Sequence, residues 1–196
     1  GSGKSTQIDA IKRFFEDRGE SVVLTREPGG TQISEKIRAL LLDRENSEMN
    51  PMAEALLYAA SRAQLVAQVI KPALDSGTHV ICDRFVDSSI AYQGYGRNLG
   101  DSVEIINSYA VNGFMPDLTI LMKLDPNIGK DRIGSRDKDR LELEKDAFHM
   151  SVFEGYLALE KKYPDRIFGI DASRTIEDIK VDIYKKLEEI LEGDSK

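Results

Sequence analysis

The chain has 196 residues, of which 41% are hydrophobic and 31% charged, a composition typical of one globular domain. The formal net charge of −7 at pH 7 argues against a double-helical nucleic-acid partner, but a local basic cluster could still bind a small anion. The single cysteine, Cys82, excludes an internal disulfide and favours a reducing compartment. Because no apolar run is long enough to cross a bilayer, we expect a cytoplasmic protein with no membrane partner.

The hydrophobic pattern predicts helices and strands that alternate along the chain. Helices are predicted at about 4–18, 33–41, 50–74, 103–111, 128–133, 147–163 and 175–191. Strands are predicted at about 21–25, 79–82, 118–124 and 166–170, whereas 88–100 shows only a polar, aromatic composition. This alternation predicts a single α/β domain over 1–196 with a parallel sheet and helices on both faces. Ligands of such sheets bind at the carboxyl ends of the strands.

The first six residues, Gly1, Ser2, Gly3, Lys4, Ser5 and Thr6, are typical of the second half of a phosphate-binding loop. Glycine lets the backbone amides approach phosphate oxygens, and the following helix adds the positive end of its dipole. Lys4 is then a cation for the outer phosphates, and the Ser5 hydroxyl is a Mg²⁺ ligand. The alternative is an ordinary helix start. Since the full pattern needs an earlier glycine after a strand, we expect a fifth, central strand upstream of Gly1.

Two polar residues, Asp83 and Arg84, follow the predicted strand at 79–82. They could form a surface ion pair. In the functional interpretation Asp83 lies near the Mg²⁺ shell, and Arg84 binds the phosphate of an acceptor, since its planar fork matches phosphate oxygens. Arg26 follows another strand and is expected at the same edge.

Tyr58 and Arg62 are four residues apart and therefore share one face of a predicted helix. In the simpler interpretation Tyr58 belongs to the core and Arg62 is solvated. Together they could also bind a nucleobase, with the ring stacked on the base and the guanidinium bonded to its edge.

The segment at about 132–145 carries several cations: Arg132, Arg136, Lys138 and Arg140. A run of mixed charge is usually a solvated face. The alternative is a mobile lid whose arginines close over a transferring phosphoryl group and neutralise its charge.

Taken together, the motifs resemble bacterial thymidylate kinases, and the resemblance covers nearly the whole chain in order. The matching stretches are residues 1–6 (GSGKST), 26–31 (REPGGT), 57–62 (LYAASR), 83–85 (DRF), 88–94 (SSIAYQG) and 116–119 (PDLT). The second and fifth are more specific than the phosphate loop.

The resemblance implies a P-loop NTPase-type three-layer fold and a homodimer. It also implies transfer of the γ-phosphate of ATP to dTMP, with Mg²⁺. Residues 1–6 would bind ATP, and Lys4, Arg84, Arg132, Arg136 and Arg140 would be catalytic, the last three in the lid. The dTMP site would comprise Arg26, Tyr58, Arg62, Arg84, Ser89, Tyr92, Gln93 and Asp139. Within that site Tyr58 would stack on thymine, Arg62 would reach its carbonyl, and Tyr92 would disfavour a ribose 2′-OH.

Three alternatives remain open from the sequence. The first is a kinase for another nucleoside monophosphate. The second is a nucleotide switch or regulatory ATP-binding module, which would need no second base site of the kind suggested by Tyr58 and Arg62. The third is a non-functional fragment that lacks its central strand.

Overall fold

A computed structural model of the chain describes residues 3–126, 128 and 139–193. Its strands are β1 (Val22–Arg26), β2 (His79–Asp83), β3 (Thr119–Lys123) and β4 (Ile167–Asp171). Its α-helices are α1 (Lys4–Asp17), α2 (Gln32–Leu42), α3 (Pro51–Leu65), α4 (Lys71–Asp75), α5 (Val86–Ser89), α6 (Ser102–Val111), α7 (Asp146–Lys162) and α8 (Ile176–Gly193). Two π-helical segments, Val66–Ile70 and Ile90–Gly96, and a 3₁₀ turn at Arg44–Asn46 complete the described elements.

The four described strands form two separate parallel pairs. In the first, Val22 lies opposite His79 and Arg26 lies opposite Asp83. In the second pair β3 runs parallel to β4. The predicted α/β fold with parallel strands is therefore confirmed. The expected single sheet of five strands is not what the described residues form, because β2 and β3 do not pair with each other.

Helices cover both faces of the strands. On β3, Ile120 and Met122 pack into a cluster with α1 and α8, whereas Leu121 packs on the opposite face with α5, α6 and α7. On β2, Ile81 joins the α1 and α8 cluster, and Val80 packs with the end of α3. The helices α1 and α8 thus form one layer that spans both strand pairs. Alternation of apolar side chains between two covered faces is typical of buried parallel strands.

The helical structure at 86–96 was not predicted. Its two glycines and polar side chains obscure the helical periodicity. Tertiary packing explains it, since a Cβ on Gly96 would lie 2.7 Å from Phe148 Cε2, and one on Gly155 would lie 2.8 Å from Tyr95 Cγ. The π-helical segment and α7 therefore approach so closely that neither glycine has room for a methyl group.

The predicted helix at 50–74 begins where expected, because the Asn50 side chain accepts a hydrogen bond from Met52 N, 2.9 Å away, and caps α3. It is not one α-helix, since the π-helical segment separates α3 from α4. Residues 129–133 of the helix predicted at 128–133, and residues 132–138 of the proposed lid at 132–145, lie outside the described residues. Within the described ranges, no helix is long and apolar enough to span a membrane.

Candidate active site

The amino end of α1 lies at the carboxyl edge of the strands. Only residues 18–21 connect α1 to β1, and α1 packs against both β1 and β2. A helix that leads so directly into a parallel strand runs antiparallel to it, so Lys4 and Ser5 start α1 at the carboxyl end of β1. Gly3 precedes them in the left-handed conformation with φ 80°, which glycine adopts at little cost. Gly1 and Ser2 lie outside the described residues, and Thr6 follows in the exposed first turn.

Asp83 and Arg84 occupy the same edge, because Asp83 ends β2. The Asp83 Oδ1 atom is buried and has no hydrogen-bond partner within the described part of the chain. Such an acceptor is uncommon unless an unseen ion or water satisfies it, so it fits a group in the shell of a cation. The described residues contain no cluster of three or more His, Cys, Asp or Glu that could hold a metal by itself.

Arg84 directly follows β2 and contacts two tyrosines. Its backbone adopts φ 69°, a left-handed conformation that is costly for a side chain of this size and is concentrated at functional sites. Its Nη1 donates to Tyr156 Oη at 3.3 Å, and its guanidinium carbon lies 5.2 Å from the centre of the Tyr92 ring. Taken as a whole residue, Arg84 is exposed.

Tyr156 is a site residue that the sequence did not reveal. It lies on α7, and its hydroxyl is 2.8 Å from Ser88 Oγ. Burial raises the pKa of Tyr156 to about 12, so the phenol stays protonated at neutral pH. Only the close packing of α7 on the segment after β2 brings it to Arg84, and that packing has no local sequence signal.

Arg26 ends β1, directly opposite Asp83, and is exposed. Its Nη2 bonds to both carboxylate oxygens of Glu35, at 3.1 and 3.2 Å. The hydrogen bond from Gly30 N lowers the pKa of Glu35, and the charge of Arg26 adds to this effect. Gly30 itself has φ 83°, and a Cβ there would lie 2.4 Å from Thr25 Oγ1, which explains the glycine in this loop.

Arg62 lies in the interior, contrary to its interpretation as a solvated residue. The side chain is only 1% exposed and bonds to Glu27, Ser89 and Asn107. Its Nε donates to Glu27 Oε2 at 2.8 Å and its Nη1 to Ser89 Oγ at 3.1 Å. These contacts use four of the five guanidinium N–H groups, and the fifth, on Nη2, bonds to no other described residue. Burial raises the pKa of Glu27, and the adjoining Arg62 opposes that effect.

A second buried charge cluster surrounds Glu54, one of the residues that sequence reasoning missed. Glu54 Oε1 accepts from Gln93 Nε2 at 2.8 Å, and Oε2 accepts from Arg97 at 3.1 Å and from Arg140 at 2.6 Å. The Nε of Arg140 also donates to the carbonyl of Leu41 at 2.9 Å. Arg140, one of the predicted lid arginines, is thus a buried residue bonded to α2 and α3.

Tyr58 lies between the two clusters, one helical turn from Glu54 and one from Arg62. It is half-buried, and burial followed by the charge of Glu54 raises its pKa. The charge of Asp139 contributes to the same rise in the pKa of Tyr58, and its chain neighbour Arg140 bonds to Glu54. Asp139 also caps a turn by accepting from Glu142 N at 2.9 Å. The structure therefore brings together Tyr58, Arg62, Ser89, Gln93 and Asp139, while Arg132 and Arg136 lie outside the described residues.

An α/β fold in which a Gly-Lys-Ser helix start meets the ends of parallel strands defines the class of phosphate-loop nucleotide-binding proteins. Residues 1–183 match the family model described as Thymidylate kinase. A thymidylate kinase of Geobacillus thermodenitrificans is 50% identical over 183 residues, 91% of this chain and 81% of the relative. One of Halalkalibacterium halodurans is 44% identical over 195 residues, and one of Pediococcus pentosaceus is 46% identical over 196. Those alignments cover 97% of this chain and 93% and 94% of the relatives. The chain belongs to the thymidylate kinase family.

Proposed function

We propose that the protein transfers the γ-phosphate of ATP to dTMP by direct in-line displacement, giving dTDP and ADP. Membership of the thymidylate kinase family supports the reaction. The observation that carries the proposal is the arrangement of two polar clusters around Tyr58, with Arg84 at the adjoining strand end. A switch or regulatory ATP-binding module would need no such second base site.

The donor side consists of residues 1–6, which bind the phosphates of ATP. Lys4 neutralises the outer phosphates, and backbone amides at the start of α1 donate to their oxygens. Mg²⁺ fits this edge, because the Ser5 hydroxyl is exposed and Asp83 Oδ1 is a buried acceptor without a partner in the described ranges. When bound, the ion would draw charge from the phosphate oxygens. Ser5 would contact it directly, and Asp83 would hold its water shell.

On the acceptor side Arg84 binds the phosphate of dTMP and orients its attacking oxygen. Two tyrosines already hold the guanidinium, so positioning rather than covalent chemistry accelerates the transfer. Tyr58 stacks on the thymine, and the remaining N–H of Arg62 donates to a thymine carbonyl. Tyr92 lies beside the sugar, Ser89 and Gln93 line the base pocket, and Arg26 and Asp139 border the site.

Among the lid arginines, Arg132 and Arg136 are proposed to neutralise the transferring phosphoryl group. Arg140 was expected to act with them. Its bonds to Glu54 and to the Leu41 carbonyl support a different role, in which it anchors the carboxyl end of the lid segment to α2 and α3.

We also propose the family's homodimer, built on α3 and α6. Large apolar side chains lie exposed on these helices: Leu56 is 51% exposed, Ile105 60% and Tyr109 82%.

A fifth strand between β2 and β3 would unite the two strand pairs, and the shared layer of α1 and α8 is consistent with one continuous sheet. The single cysteine, Cys82, is in keeping with a location in the reducing cytoplasm.

A panel of acceptors tests the proposed reaction. With ATP and Mg²⁺, we expect phosphorylation of dTMP with a kcat/KM well above those for dCMP, dGMP and AMP, with dUMP the nearest competitor. A preference for another monophosphate would favour the alternative kinase. ATP binding with no phosphorylated acceptor would favour the switch or regulatory module.

A further inference from the structure

Glu54, the buried partner of Arg140, also bonds to a residue of the proposed base pocket. It is 0% exposed and accepts hydrogen bonds from Gln93, Arg97 and Arg140. Burial acts to raise the pKa of Glu54, but the bonds from Arg97, Gln93 and Arg140 outweigh burial and leave the pKa lowered. Glu54 is therefore ionised at neutral pH, and an ionised carboxylate can only accept hydrogen bonds.

This charge determines which way the Gln93 amide points. Because Glu54 Oε1 can only accept, Gln93 must turn its NH₂ group toward it, and Nε2 lies 2.8 Å away. The amide carbonyl is then directed away from Glu54. Gln93 is 1% exposed, and its Oε1 is buried without a hydrogen-bond partner among the described residues. A buried carbonyl in this state is uncommon and is suited to receive a donor from a ligand.

The amide lies beside the proposed base-stacking residue. Glu54, Tyr58 and Arg62 occupy successive turns on one face of α3, and Ser89 and Gln93 are four residues apart on the facing helical segment. Two side-chain bridges join these elements, from Glu54 to Gln93 and from Arg62 to Ser89. Tyr58 lies between the bridges, so a base stacked on it is flanked by an acceptor at Gln93 and by the free N–H of Arg62.

We propose that Glu54 is a positioning residue that sets base specificity by locking the Gln93 amide with its carbonyl toward the substrate. This inference rests on the proposed function. Thymine presents a ring N–H donor next to a carbonyl acceptor, and both match the locked pattern. Cytosine presents a ring nitrogen lone pair next to an amino donor, and both conflict with it. A site with fixed hydrogen-bond polarity rejects such a mismatch strongly, because its buried groups are left unpaired.

Glu54→Gln tests the lock, since a neutral amide at 54 can donate as well as accept and permits the flipped Gln93. The readout is the ratio of kcat/KM for dTMP to that for dCMP, measured on one sample so that the folded fraction cancels. We expect the ratio to fall about tenfold or more, mainly through the KM for dCMP. Glu144→Gln is the matched control, because it removes a charge from the same Arg97, 2.5 Å away, without touching Gln93. The control should leave the ratio unchanged.

A second variant shows whether Glu54 acts through Gln93. In a Gln93→Met background there is no amide to orient, so adding Glu54→Gln should leave the already lowered ratio unchanged. An unchanged ratio in the single Glu54 variant, or an equal fall in the Glu144 control, overturns the inference while wild-type turnover of dTMP still supports the proposed function. If the wild-type protein phosphorylates no dTMP, both fail together.

Discussion

Arg62 donates two hydrogen bonds to a single carboxylate oxygen of Glu27, and both side chains are almost completely buried. The Nη1 group of Arg62 extends this ion pair to Ser89 and Asn107, and the network thereby joins the loop after β1 to α3, α5 and α6. Removal of one partner from a buried ion pair strongly destabilises the fold, because it leaves an uncompensated charge in the interior.

Arg62→Lys should lower the free energy of unfolding by about 2–3 kcal/mol, since an ammonium group cannot reach Glu27, Ser89 and Asn107 from one position. The measurement is urea unfolding at pH 7. Arg18→Lys is the control, because Arg18 and Glu20 pair at the surface and such a pair contributes about 1 kcal/mol or less. Equal effects of the two substitutions would contradict a buried network at Arg62.

Arg84→Ala should reduce kcat/KM for dTMP by about 100-fold or more while leaving ATP affinity unchanged, since the guanidinium acts only on the acceptor. Steady-state kinetics and an ATP titration measure the two quantities. Arg174→Ala is the control, because Arg174 pairs with Asp182 on the surface near the start of α8. Turnover near the wild-type rate in Arg84→Ala would remove Arg84 from the mechanism.

Arg136→Ala and Arg140→Ala should separate the two proposed roles of the lid arginines. Loss of Arg140 leaves the buried Glu54 charge short of a partner, and we expect thermal unfolding to show a cost of about 3–5 kcal/mol. Arg136→Ala should lower kcat and leave the unfolding temperature unchanged. A variant of Arg140 that melts like the wild-type protein would argue against the anchoring role.

The stability conferred by Glu54 should depend on pH. The pKa of Glu54 is lowered in the folded protein from its ordinary value of 4.5, so its ionised form stabilises the fold. That contribution is fully present above the unfolded pKa and is lost as the pH falls through the lower folded pKa. The difference in free energy of unfolding between wild type and Glu54→Gln should therefore be largest near pH 7 and should shrink below about pH 4.5. A difference that grows in acid would show that Glu54 is buried in its neutral form.

Tyr109→Glu should convert the proposed dimer to a monomer, because it introduces a charge into the exposed apolar surface of α6. Sedimentation velocity measures the change. Val181→Glu is a matched control, since Val181 is 62% exposed on α8, away from α3 and α6. If wild type and Tyr109→Glu sediment alike as dimers, the interface lies elsewhere.

Local patterns predicted most of the secondary structure, because periodicity and capping residues act over a few positions. The four strands and the start of α3 after Asn50 lie within a residue or two of their predicted bounds. The helical segment at 86–96 was missed because its glycines weaken the local signal, and contacts with α7 stabilise it instead. A strand pattern likewise shows that a strand exists, but not which partner it pairs with.

The candidate site likewise combines residues that local patterns predict with residues that only tertiary contacts bring together. The placement of residues at strand ends, such as Asp83 and Arg84, was predictable because the carboxyl ends of parallel strands meet at one edge. Glu27, Glu54 and Tyr156 were missed, because each acts by contacting a residue far along the chain. A glutamate within a helical pattern normally indicates a solvated face, and only the fold shows that the one at position 54 is enclosed by two arginines.

The close approach of the π-helical segment to α7 bears on how the acceptor phosphate would be received. Gly96 and Gly155 let Tyr156 reach both Ser88 and Arg84, so the phenol that steadies the arginine is fixed when the chain folds. The loss of rotational freedom for Arg84 then falls largely on folding rather than on each encounter with substrate. An alanine at either glycine would force the π-helical segment and α7 apart. Arg84 would then lose its rotational freedom each time substrate binds, and the entropic cost would recur in every catalytic cycle.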